Sequence, residues 1–183
     1  MTSLLRFEQV TLRRGGRLLF EDLDLALHPG EALHVTGPNG SGKSSLIRLA
    51  AGLLEAERGR VERSAFALAD DRLALDRELP LARALGFWGG QVAAAMDALG
   101  IHHLSDVPVR LLSSGQAKRA ALARVAATGA ALWLLDEPLN ALDADGAERV
   151  GRIVADHLAR GGALLAASHQ LLPGTAGTLE LAR

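Results

Sequence analysis

Hydrophobic and polar positions divide the chain into two rhythms. Strand patterns fill the first 36 residues: Leu4 to Leu12, Arg17 to Phe20, an alternation through Asp22-Leu23-Asp24-Leu25-Ala26-Leu27, then Glu31 to Thr36 after the Pro29-Gly30 turn. A helix is predicted from Lys43 to about Ala51, stopping near Gly52. From Asp70 to Leu112 helical segments are broken at Pro80, Gly86, Gly89-Gly90, Gly100 and Pro108. With a further helix from Ser114 to about Thr128, this reads as a small helical subdomain over roughly 70–128. A buried strand follows at Leu132 to Asp136, then a long helix from about Ala144 to Arg160 ended by Gly161-Gly162. Strands at Ala163 to Ala167 and Thr178 to Leu181 close the chain. Strands alternating with helices imply parallel βαβ units, preceded here by a more antiparallel sheet. The expected fold class is α/β, as one domain over residues 1–183 with a helical insertion.

Composition narrows the partners. The 183 residues are 49% hydrophobic and 22% charged with a net charge of -1, which argues against binding nucleic acid by phosphate neutralisation. The absence of cysteine excludes disulfides, thiolate metal sites and cysteine nucleophiles. Met1 to Gln9 carries Arg6 and Glu8 among its apolar residues and lacks the pattern of an export signal. Apolar runs such as Ala130 to Leu135 fall far short of the roughly 18 residues that cross a bilayer. No direct membrane insertion is expected, and any membrane link must run through a partner.

Gly37-Pro38-Asn39-Gly40-Ser41-Gly42-Lys43-Ser44, with Ser45 after it, matches the phosphate-binding loop pattern in full, between a strand and a helix. Glycines let backbone N–H groups turn inward to cradle phosphate oxygens, and the helix N-terminus adds its positive dipole end. Lys43, one of only two lysines with Lys118, would reach the β and γ phosphates of ATP, and Ser44 would ligate Mg²⁺. Leu132-Trp133-Leu134-Leu135-Asp136-Glu137 is an apolar strand ending in two acids. Asp136 is placed to hold the Mg²⁺ shell and Glu137 to orient or deprotonate the attacking water. Leu112-Ser113-Ser114-Gly115-Gln116 opens a helix bearing Lys118, Arg119 and Arg124; alone it is a helix cap, and beside the other motifs a second anion site. His169, after Ser168, lies just past a strand end where it can reach a γ phosphate. His28, His34, His102, His103 and His157 have no such placement and read as structural or solvated.

The order of these motifs, with Asn140-Ala141-Leu142-Asp143 between the acids and Ser168-His169, resembles the ATP-binding cassette proteins over essentially the whole chain. The resemblance implies a P-loop ATPase core of that type and a head-to-tail homodimer sharing two ATP sites. Ser113 and Gly115 would then act across the interface, Asp143 would touch the partner's loop, and His169 would sense the γ phosphate. Within that family, Arg14-Gly15-Gly16-Arg17-Leu18-Leu19-Phe20, Glu78-Leu79-Pro80-Leu81, Leu85-Gly86-Phe87-Trp88 and Leu132 to Pro138 resemble the haem-exporter ATP-binding subunits of cytochrome c maturation. That implies docking on integral-membrane transporter subunits at the cytoplasmic face of the inner membrane.

Three departures stand out. The family's glutamine after the Ala65 to Ala69 strand is replaced by Asp70-Asp71-Arg72, which puts the relay to a membrane partner in doubt. The aromatic that stacks on adenine is missing, and Arg14 lies near its place, where a guanidinium plane can stack instead. Ser114 stands at the middle glycine of the signature. Phe87 and Trp88 fall where such cassettes receive a membrane subunit, although aromatics there are more often core. The alternatives are an ATPase of another permease, or a soluble cassette acting on nucleic acid or assembly factors.

Overall fold

The computed structural model describes residues 2–172 and 177–181; Met1 lies outside them. In chain order the strands are β1 (Leu5–Arg14), β2 (Arg17–Leu27), β3 (Ala32–Thr36), β4 (Arg58–Arg63), β5 (Phe66–Ala69), β6 (Leu132–Asp136), β7 (Ala163–Ala167) and β8 (Gly177–Glu180). The α-helices are α1 (Lys43–Ala50), α2 (Leu81–Gly86), α3 (Val92–Ala98), α4 (Ser114–Ala127) and α5 (Ala144–Ala159).

The N-terminal sheet is antiparallel, in the order β2-β1-β4. The two strands expected at 17–20 and 22–27 are one, β2, which carries an irregularity at Asp22. There the backbone takes a φ of 49° and the Asp22 N–H donates to the Thr11 hydroxyl at 3.2 Å, so a local bulge absorbs the break in pattern. Strand β4 was not expected from the sequence. Five of its six residues are exposed, so it has no apolar alternation to betray it, and pairing with β1 defines it.

The second sheet is parallel throughout, in the order β5-β6-β7-β3-β8. Every residue of β6 and β7 is buried, as expected of strands covered on both faces. Alternate positions serve two cores: Trp133, Leu135, Leu164 and Ala166 pack with the helical insertion and α5, while Leu132, Leu134 and Leu165 pack with α1 and the antiparallel sheet. Because the strands are parallel, the segments after β3, β6 and β7 emerge at one edge, where ligands bind in such sheets.

The helical insertion holds α2, α3, two short 3-10 turns and α4, broken at the expected glycines and prolines. Phe87 and Trp88 correct the expectation of core residues. Phe87 is 84% and Trp88 41% exposed, because α2 ends at Gly86 and the following turn carries both rings outward. The buried Arg124 guanidinium lies 4.6 Å from the Trp88 ring centre, so one face of the indole rests on a cation.

Candidate functional site

The phosphate loop follows β3 directly and passes through Gly37, Gly40 and Gly42, all at positive φ, into α1. Gly37 is confined as well: a Cβ there would collide with the carbonyl oxygen of Leu181, whose N–H donates to Thr36 at 2.9 Å. The final strand therefore presses on the loop from behind. Lys43 is nearly buried and its ammonium donates to the carbonyls of Gly37 at 2.7 Å and Pro38 at 3.1 Å, lying across the loop it serves. Ser41 and Ser45 are buried and Ser44 partly so.

Asp136 ends β6 beside this loop. It is 7% exposed, and burial, reinforced by the adjacent Glu137, raises its proton affinity above the ordinary carboxylate value, while a hydrogen bond with Ser44 opposes the rise. Its Oδ1 has no hydrogen-bond partner, and neither does the buried Oε2 of Glu137. Two unpartnered carboxylate oxygens are costly unless something is meant to bind them. Glu137 sits at a φ of 48°, a strained conformation for a non-glycine residue, pinned by its N–H donating to Ala167 at 2.7 Å. His169 closes the group: its Nε2 is 2.9 Å from Asn39 Oδ1 and 3.6 Å from Glu137 Oε1. His34 positions this end from below, its buried ring bonded to the Ser168 carbonyl at 2.9 Å, a structural role the sequence assigns only in general terms.

The loop from Asn39 to Ser45, Glu137 and His169 line one cavity of about 390 Å³ together with Arg14, Arg17 and Leu19, and Asp136 lies behind its wall, hydrogen-bonded to Ser44. Arg14 donates to the Ser45 hydroxyl at 3.3 Å, so its guanidinium faces the start of α1. The structure thus brings Arg14, the loop, Asp136, Glu137 and His169 to one edge of the parallel sheet.

Ser113, Ser114, Gly115 and Gln116 are elsewhere. They line a separate cavity of about 410 Å³ with Asp143 and Arg119, and it shares no residue with the first. Ser113 caps α4 by accepting from the Gln116 N–H at 3.3 Å, while the Gln116 side chain accepts from the Ser113 N–H at 2.9 Å. Gly115 lies against the loop before α5: a Cβ would stand 2.8 Å from the Ala141 carbonyl oxygen. Asp143 caps α5 through the Gly146 N–H and is gripped by Arg119, hydrogen bonds that hold its carboxyl below the ordinary range.

The cations of α4 do not gather at its N-terminus. Arg119 is committed to Asp143 and Asp145, and Arg124 donates inward to the Leu68 carbonyl. Burial lowers the proton affinity of Lys118, and the negative charges of Asp136, Glu137, Asp70 and Asp71 partly offset the fall. Where the cassette family carries glutamine, Asp71 pairs with Arg48 of α1 at 3.3 Å. These links join residues far apart in sequence, and no motif announces them.

Among the described residues no helix is long and apolar enough to cross a membrane. The ABC transporter family model matches residues 20–140. The chain is 54% identical over 177 residues to the cytochrome c biogenesis ATP-binding export protein CcmA of Sphingopyxis alaskensis, covering 92% of this chain and 91% of that one. It is 55% identical over 166 residues to the protein of the same name from Novosphingobium aromaticivorans, covering 89% and 87%. A solved ATP-binding subunit of an ABC transporter superposes with a TM-score of 0.83 at 21% identity, covering 91% of this chain and 80% of its own, a likeness of fold. With its phosphate loop and Glu137 facing one cavity and its signature helix facing another, the chain belongs to the ABC transporter family of ATPases, among the cytochrome c biogenesis ATP-binding export proteins.

Proposed function

We propose that this chain is one ATP-binding unit that dimerises head to tail and drives the export or chaperone-release step of haem in cytochrome c biogenesis. It would work on integral-membrane subunits at the cytoplasmic face of the inner membrane. The observation that carries the reading is the pair of unpartnered, buried carboxylate oxygens at the end of β6, one on Glu137, which lines the cavity with Lys43, and one on Asp136, whose carboxyl is hydrogen-bonded to Ser44 of the same lining. The relatives named for cytochrome c biogenesis supply the pathway.

In this reading the loop N–H groups and the N-terminus of α1 cradle the phosphates, and Lys43 exchanges its two carbonyl partners for phosphate oxygens. The Ser44 hydroxyl and Asp136 carboxylate would hold Mg²⁺; among the described residues no cluster of three or more acids or histidines could hold a metal ion. Mg²⁺ at nucleotide sites is commonly bound through one or two carboxylates with waters and substrate phosphates, and the unpartnered Asp136 Oδ1 is available for it. The metal supplies charge neutralisation at the phosphates. Glu137 accepts a proton from the attacking water as its oxygen bonds to the γ phosphorus and the bond to ADP breaks. His169, set by Asn39, reports the γ phosphate.

Disjoint cavities support dimerisation, since a single chain presents phosphate loop and signature to different places. The test is to isolate the Glu137→Gln form with ATP and Mg²⁺ from gently solubilised cells. Recovery of membrane subunits of cytochrome c biogenesis is expected; soluble partners alone would overturn the transport reading.

A further inference from the structure

Beside the phosphate loop the cavity is lined by Arg14, Arg17 and Leu19, and no Phe, Tyr or Trp side chain belongs to its lining. A purine laid on that wall has guanidinium and aliphatic contact on one face only. Within this lining the one ring is His169, already bonded to Asn39, so any ring free to cover the second face of a base lies outside it.

The signature cavity contains a candidate. Its lining includes one aromatic ring, the exposed imidazole of His103. Ser113, Gln116, Arg119 and Asp143 around it are already engaged, Ser113 with Gln116 and Arg119 with Asp143 and Asp145. Among the described residues no hydrogen bond or ion pair holds the His103 ring, in contrast to its neighbour His102, which is bonded to Asp97 at 2.6 Å. His103 follows the Gly100 turn and is carried on a short 3-10 turn (His102–Leu104) anchored by the largely buried Leu104, so a free ring stands on a fixed base.

We infer that His103 contacts nucleotide across the dimer, its imidazole covering the outer face of the adenine held on the Arg14, Arg17 and Leu19 wall of the second copy. The inference rests on the head-to-tail dimer proposed above and deepens it. Stacking between an aromatic side chain and a base is tolerant of which base is present, so His103 supplies affinity and a closed-state contact rather than strict choice of adenine.

Mixed dimers separate the roles. One chain carries Lys43→Ala, so only its signature side serves the single intact phosphate loop, which is on the other chain. His103→Ala on the Lys43→Ala chain is expected to raise the KM for ATP about tenfold, in the range of base stacking. The same substitution on the chain with the intact loop is expected to leave KM unchanged. His103→Phe, which keeps a ring, is expected to restore most of the affinity. In a Glu137→Gln dimer, 8-azido-ATP should photolabel the segment bearing His103. An unchanged KM in both placements, or an effect only in cis, overturns the inference while leaving the dimer intact. If Glu137→Gln with ATP and Mg²⁺ sediments as a monomer, the dimer itself falls and the inference with it.

Discussion

At the carboxyl edge of the parallel sheet, Glu137 is tied by its own N–H to Ala167 at 2.7 Å, and Leu181 to Thr36 at 2.9 Å. The main chain itself holds motifs that are far apart in sequence in one frame. In the helical insertion, the turn after α2 presents Phe87 and Trp88 outward; the Trp88 N–H donates locally, to Leu85 at 3.0 Å, and its ring meets the Arg124 guanidinium. The edge is organised by its own main chain, which suits chemistry, because charge stabilisation works when dipoles need no rearrangement. The insertion instead keeps a rigid interior and offers a surface. Its core joins that of the sheet through Trp133 and Leu135, so the two regions share support while differing in what they expose.

Removing the base tests the edge most severely. Glu137→Gln keeps size and shape, and is expected to lower kcat by roughly 10²- to 10⁴-fold while ATP binding persists, as single-turnover kinetics and nucleotide retention will show. If turnover were unchanged, the preorganised edge would not be the chemical site. A comparable energetic effect of another kind is expected at the seam between the regions. Trp133 is buried, with its ring stacked on His157 at 3.9 Å and 10° between planes. Trp133→Ala is expected to cost about 3 to 5 kcal/mol of stability, read by urea unfolding. Both regions should lose structure together, because both lean on the same core. Separate transitions would instead make the insertion an independent unit.

The same contrast governs what could be read from the sequence. The loop, the acid pair, the signature and His169 were legible because each is a local pattern with a backbone reason. Gly37 must avoid Leu181, Gly115 must avoid Ala141, and Ser113 and Gln116 form a reciprocal cap. Strand β6 was legible because burial on both faces leaves an unbroken apolar run. Strand β4 was not, since its exposed residues carry no rhythm. Nor was the fate of the α4 cations: whether Arg119 meets an anion or Asp143 depends on a loop 24 residues away. Phe87 and Trp88 misled for a related reason, as apolar character is a guide to burial only where the backbone turns inward.

Asp136 gives a smaller test with a definite sign. Burial raises its proton affinity, so the folded chain holds a proton over a pH range in which the unfolded chain has already lost it. Stability therefore falls as pH rises through that range, and the loss persists above it. Asp136→Asn is expected to be more stable than the parent at neutral pH, with the gap closing as pH falls below the ordinary carboxylate pKa. Added ATP and Mg²⁺ should raise the Tm of the parent much more than that of the variant. A gap that widens toward low pH would contradict the assignment of burial as the dominant cause.

The smallest expected effect on the isolated chain falls on the insertion's exposed ring. Phe87 is 84% exposed and meets Trp88 edge-on at 5.6 Å between ring centres. Phe87→Ser should change stability by no more than about 0.5 kcal/mol, since little is buried to lose. Its kcat and KM in the absence of membrane subunits should match the parent, because no part of the nucleotide cavity includes it. Against solubilised membrane subunits the same change is expected to weaken association by about 1 to 2 kcal/mol, the scale at which aromatic anchors operate at interfaces. A silent variant in isolation that fails only in the complex would show that the insertion's exposed face is there for another molecule. Equal behaviour in both settings would return Phe87 to the ordinary scatter of exposed apolar residues.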